Sequence, residues 1–180
     1  TFRGTSPTSW TASPSCRHTC VAVVDMQPAS AAATDTVHPL VAQLAARHGF
    51  AELCAESFDS WANAPGRAIV VFTEDPVRYK ETLDLAVIAP ELVRAFPGVF
   101  RAGVLLPEAA RAIAVRYGFR RWPALVFLDG GGYVGAIDGL RNWNDYVHDV
   151  ALLATAPVTR PPAVGIAVRG PGDATGHGAG

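Results

Sequence analysis

Residues 120–140 read RRWPALVFLDGGGYVGAIDGL, and no other stretch limits the possible folds as tightly. Ala124 to Leu128 is a continuous apolar run of strand length. Asp129 to Gly132 is a glycine-rich turn, and Tyr133 to Ile137 is a second strand-like run. Two such runs joined by so short a turn pair antiparallel, because the turn leaves no room for a crossover. Pro123 stands immediately before the first run, where an X-Pro bond in the cis form turns the chain into a strand.

Upstream, strand and helix patterns alternate. Val37 to His48 places apolar residues at 37, 40, 41, 44 and 45, the spacing of an amphipathic helix, and Gly49 follows as a stop. Phe50 to Ala55 is a strand candidate, and Ser57 is placed to cap a short helix that Pro65-Gly66 ends near Ala64. Ala68 to Phe72 (AIVVF) has the β-branched and aromatic content of a strand buried on both faces. A helix is predicted over about Thr82 to Phe96, interrupted at Pro90, followed by a strand over Val99 to Leu105. Pro107 at a first helical position opens the next helix, which Gly118 closes. Asn142 caps a last helix to about Ala154. Helices between strands require parallel pairing and the glycine turn requires antiparallel pairing. The expectation is an α/β fold with a mixed sheet and helices on both faces.

Composition separates this core from its ends. Residues 1–36 are rich in Thr, Ser, Ala and Pro and form an expected low-order leader. The only methionine is Met26, and a natural start there is expected. Residues 37–155 carry the regular patterning. The tail 156–180 is dense in Pro and Gly and is expected to be disordered. A net charge of −1 without a long basic run gives no footing for nucleic acid or a membrane surface. No stretch is long and apolar enough to span a bilayer. Three cysteines form no disulfide framework, and the reading is a cytoplasmic protein. Cys16-Arg-His-Thr-Cys20 lacks a second ligand pair at zinc spacing and reads as accidental, so no metal or cofactor is expected. Cys54 reads as a small apolar strand residue.

Several of these pieces resemble thioredoxins. AESFDSWANAPGRAIVVF is similar to the first strand, short helix and central strand of that fold. VIAPELVRAF is similar to its proline-kinked second helix, and residues 117–140 to its closing half with the cis-proline loop. The likeness spans residues 50–154 and implies a thioredoxin-like fold. Its chemistry does not carry over. Dithiol exchange needs a Cys-x-x-Cys at a helix start, where the helix end lowers the thiol pKa. Residues 73–89, TEDPVRYKETLDLAVIA, contain no cysteine, and Val71 stands where those enzymes keep a buried acid. No catalytic residue is therefore expected.

FTEDPxR after the central strand, ELVRAFPG, the Arg-Trp-Pro at 121–123 and Trp143 resemble the HyaE/HupG/HoxO family of hydrogenase expression and formation proteins. The resemblance implies a non-redox chaperone in [NiFe] hydrogenase maturation. Its implied partners are the hydrogenase small-subunit precursor with its twin-arginine signal peptide, and other hydrogenase accessory proteins. In a thioredoxin-like architecture, the backbone at Trp122, before Pro123, would receive an extended peptide as one added strand. The loop after Phe72 and the turn at Gly139-Leu140 would wall the groove. Glu74, Asp75, Glu81 and Asp84 would face incoming arginines, against the plainer reading of solvated groups beside a helix start. Trp122 reads equally as packing residue or interface anchor, Trp143 as packing, and Arg120 and Arg121 as a solvated edge. A peptide-binding module for another client and a monothiol enzyme using Cys54 are the alternative functions.

Overall fold

Ile69 and Val71 turn to one side of the central strand while Ala68, Val70 and Phe72 turn to the other, and all five are fully buried. That period-two division of an all-apolar run forces a layer onto each face. The structure, a computed structural model, describes residues 37–162 and supplies both layers. In chain order the elements are α1 (Pro39–His48), β1 (Ala51–Leu53), α2 (Ala55–Ala62), β2 (Arg67–Phe72), α3 (Glu81–Ala95) and β3 (Arg101–Leu105). Then come α4 (Pro107–Ala114), β4 (Ala124–Asp129), β5 (Gly132–Asp138) and α5 (Trp143–Leu153).

The strands lie in the order β1-β3-β2-β4-β5. β1 and β2 run parallel to β3, and β4 runs antiparallel to both β2 and β5. The sheet is mixed, as the crossover helices and the hairpin require. Val41 and Leu44 of α1, Leu85 and Ala89 of α3, and Tyr146 and Val150 of α5 pack on the Ile69/Val71 face. Phe58 of α2 and Ala110 and Ile113 of α4 pack on the Ala68/Val70/Phe72 face. The fold is the thioredoxin-like α/β architecture with helices on both faces.

The local signals shift several predicted boundaries. The first helix begins at Pro39 rather than Val37, with His38 Nδ1 accepting from Leu40 N–H at 3.3 Å. β1 keeps only three residues, because α2 starts at Ala55. Ser57 is three positions beyond the cap and not the cap itself; its hydroxyl accepts the Cys54 N–H at 3.0 Å, closing the box from inside. The third helix continues through the buried Pro90 without a break, although that residue has no N–H to give the ladder. Gly130 and Gly131 make the hairpin turn at φ 53 and 85°, a region costly for other residues.

The first residues of the tail are ordered, against the expectation for 156–180. Residues 156–162 dock on the domain. Arg67 donates to the Leu153 and Ala156 carbonyls, both at 2.9 Å, and Thr159 N–H donates to Tyr133 C=O at 2.7 Å. Val158 lies where a Cβ on Gly132 would stand 2.5 Å from it, so the glycine admits the tail. Proline count alone misses this, because a strand flank needs only isolated hydrogen bonds. Residues 1–36 and 163–180, including Cys16, Cys20 and Met26, lie outside the described residues. Ending the chain at Thr155 removes two of these hydrogen bonds and the Val158 contact. A loss of about 1–2 kcal/mol is expected, read as a melting temperature lower by about 3–8 °C. An unchanged melt would show that the docking adds nothing.

Candidate functional site

The central strand ends at Phe72, and the next two residues remain inside. Thr73 and Glu74 are 1% and 5% exposed. The Thr73 hydroxyl donates to Leu105 C=O at 2.7 Å, tying the loop to the end of β3. Glu74 then meets Arg111 of α4, whose Nε lies 3.0 and 2.8 Å from the two carboxylate oxygens and whose Nη2 reaches Oε1 as well. The Asp75 N–H adds a 2.8 Å bond to Glu74 Oε1. Burial pushes the Glu74 carboxyl up, but the Arg111 hydrogen bonds, the Asp75 N–H and the charges of Arg111 and Arg78 outweigh it. The net shift is below the ordinary carboxylate value.

This pair corrects the expectation that Glu74 faces incoming arginines: its charge is already answered by an arginine of the chain itself. Asp75 serves the loop, accepting Val77 N–H on Oδ1 at 2.9 Å while its carbonyl accepts from Arg78 and Tyr79. Glu81 and Asp84 are exposed in the first turn of α3 and line neither concavity described below. The expected four-carboxylate cluster is therefore not assembled at one groove.

The Trp122–Pro123 peptide bond is cis, as the sequence suggested. Pro123 is buried, and its carbonyl accepts Gly139 N–H at 2.9 Å. Gly139, at φ 68°, also accepts the Tyr146 hydroxyl at 3.2 Å. The Gly139-Leu140 turn thus buttresses Pro123, and Leu140 projects to solvent at 39% exposure. Among the described residues, no backbone hydrogen bond engages the Trp122 N–H or C=O. The indole is half-buried and stands edge-on to Phe119, centroids 5.1 Å apart. Phe119 meets Phe72 at 5.3 Å, and Phe72 meets Tyr117 at 5.8 Å and Phe58 at 6.5 Å. A chain of edge-to-face rings therefore runs from the core to Trp122. Burial lifts the Tyr117 hydroxyl to about 12, so that ring stays neutral.

Two concavities share the Glu74–Arg111 pair as a common wall. One, of about 460 Å³, lies between Arg78 and Tyr79 of the loop and Phe119 and Trp122. The other, of about 440 Å³, lies between Val37 to Pro39, the loop residues Asp75 to Val77, and Leu106 to Glu108. Trp122 and the loop residues Glu74, Arg78 and Tyr79 line the first of these together. Pro123, Gly139 and Leu140 do not line that groove. Sequence reasoning missed Arg111, Arg78, Tyr79 and Phe119. Arg111 had one available signal: it flanks the buried stripe of Ala110 and Ile113 on α4, a position from which a long cationic side chain can lean over the sheet end.

No cysteine lines either concavity. Cys54 lies at the start of α2, with its thiol 3.2 Å from the Ser57 hydroxyl, and it forms no disulfide among the described residues. Val71, where a thioredoxin acid would stand, is fully buried. Among the described residues no three His, Cys, Asp or Glu side chains come together as a metal-binding group. Trp143, read as packing, opens α5 but is 46% exposed. No helix among the described residues is long and apolar enough to cross a membrane.

Residues 40–146 match the family model described as hydrogenase-1 expression protein HyaE. The hydrogenase expression/formation protein HoxO of Cupriavidus necator is 40% identical over 137 residues, covering 75% of this chain and 85% of that protein. HoxO of Azotobacter vinelandii is 39% identical over 119 residues, 66% of this chain and 80% of the relative. A crystal structure assigned as the hydrogenase expression/formation protein HupG of Rhodopseudomonas palustris CGA009 is 29% identical, with a TM-score of 0.42, over 57% of this chain and 93% of that one.

Proposed function

The chain belongs to the HyaE family of hydrogenase expression proteins, and from that membership we propose that it is a non-catalytic chaperone in [NiFe] hydrogenase maturation. It acts in the cytoplasm, holding the small-subunit precursor through its twin-arginine signal peptide before export. The observation that carries this reading is the groove between Trp122 and the 74–79 loop. It has an aromatic anchor and unengaged backbone groups at Trp122, and no thiol at the start of α3. An extended peptide can pair with that backbone as one added strand while an apolar side chain lies against the indole. The absence of a cysteine in residues 73–89 supports retention of the client without thiol exchange on it.

The test is binding of the purified precursor, with and without its signal peptide, to the parent protein and to Trp122→Ala. The ring is half-buried at the margin of the core, with Phe119 as its ring partner, so its removal is expected to leave the fold intact and to act on residence time. An off-rate higher by about 10- to 30-fold is expected, in the range of an interface anchor, with the on-rate within about threefold. Equal affinity for the precursor lacking its signal peptide would overturn the proposed client segment. Unchanged kinetics in Trp122→Ala would remove the groove from the mechanism.

A further inference from the structure

We infer that the second concavity, beside Val37 to Pro39, is a docking groove for the cationic end of an extended peptide, and that the two grooves divide one peptide by charge. This rests on the peptide-binding reading above and adds where the arginines sit. The floor of the second groove is apolar, built from Val37, Pro39, Val41, Leu106 and Pro107, with Val77 standing 86% exposed at its lip. Three carboxylates, of Glu74, Asp75 and Glu108, face one guanidinium, that of Arg111. Glu74 is committed to Arg111, while Asp75 and Glu108 have no ion-pair partner among the described residues. The Asp75 carboxylate is fixed in place by the Val77 N–H.

Across the shared wall the balance reverses. The Trp122 groove sets Arg78 and Arg111 against Glu74 alone and adds the rings of Tyr79, Phe119 and Trp122. A peptide whose arginines adjoin an apolar run fits this pair of grooves in one placement. Its arginines lie at Asp75 and Glu108, with their methylene stems on the valine and proline floor, and the apolar run crosses to the rings. The opposite placement sets the incoming guanidinium groups against Arg78 and Arg111, and like-charge contacts of that kind reject the wrong register. Arginine suits the carboxylates better than lysine because its planar fork can engage an oxygen pair while staying weakly hydrated.

The experiment is a fluorescence-anisotropy titration of the full chain with two labelled synthetic peptides. One carries two adjacent arginines followed by a leucine- and phenylalanine-rich run, and the other has glutamines in place of the arginines. Glu108 is exposed at the start of α4, so Glu108→Gln and Glu108→Arg are made, with melting curves to verify folding. Glu108→Arg is expected to weaken the arginine peptide about tenfold and Glu108→Gln about threefold, with less than a twofold change for the glutamine peptide. The discrimination should shrink as added salt shortens the Debye length from about 10 Å to about 3 Å. If Trp122→Ala weakens both peptides and neither Glu108 variant distinguishes them, the charge division is wrong and the peptide-binding function stands. If neither Trp122→Ala nor the Glu108 variants alter binding of either peptide, both readings fall. A dimer in sedimentation that Glu108→Arg dissociates would assign the groove to a second copy of the chain and overturn the proposal.

Discussion

Arg111→Ala is expected to lower the melting temperature at neutral pH by about 10 °C, corresponding to roughly 2–3 kcal/mol in a domain of this size. The reason is what it leaves behind. The Glu74 side chain is only 6% exposed, and without the guanidinium it retains a carboxylate that burial disfavours. The Arg111 side chain is itself 51% exposed, which places the loss below that of a wholly buried pair. The pH dependence carries a sign that separates this mechanism from simple loss of packing. In the parent, the Glu74 pKa lies below its unfolded value. Its contribution is therefore complete above the ordinary carboxylate range and is lost as pH falls through the depressed value. In the variant the lowering contributions of Arg111 are gone while those of the Asp75 N–H and Arg78 remain, so the folded pKa moves up from its depressed value. The stability lost relative to the parent should therefore be largest near neutral pH and shrink as pH falls through the carboxylate range. Melting curves of both proteins across pH 4–7 that ran parallel would show the pair to be a surface contact.

Phe72→Ala is expected to cost more still, about 3–5 kcal/mol, because the ring is fully buried and its removal leaves a cavity that neighbouring rings cannot refill. Phe72 meets Phe58, Tyr117 and Phe119, so three edge-to-face contacts go together. The milder Phe72→Leu keeps most of the volume and should remain folded. Its informative effect is remote: Phe119 loses its inner ring partner, and Phe119 is in turn the ring partner of Trp122. Peptide off-rates should rise about three- to tenfold in Phe72→Leu, although Phe72 lines neither groove. A destabilised Phe72→Leu with parental off-rates would show that Trp122 is positioned by the backbone turn at Pro123 and not by the ring chain.

Much of this molecule is written in short-range pattern. The hairpin from Ala124 to Asp138 follows from two apolar runs and a glycine turn, and the covered central strand follows from five consecutive apolar residues. That the Cys-x-x-Cys of a thioredoxin is missing from the start of α3 is read from residues 73–89 alone. These conclusions need only a period, a turn or a missing atom, each decided within a few positions. What the local pattern misjudged were the states of polar groups. Glu74 reads as one of four loop carboxylates, yet tertiary structure buries it and joins it to Arg111, 37 residues away. The tail after Thr155 reads as disordered, yet Arg67 and Tyr133, far back in the chain, hold its first residues. A carboxylate has the same appearance in sequence whether water or a guanidinium answers its charge. Which one does depends on where α4 lies across the end of the sheet, and that is settled by the packing of Ala110 and Ile113 under the whole fold.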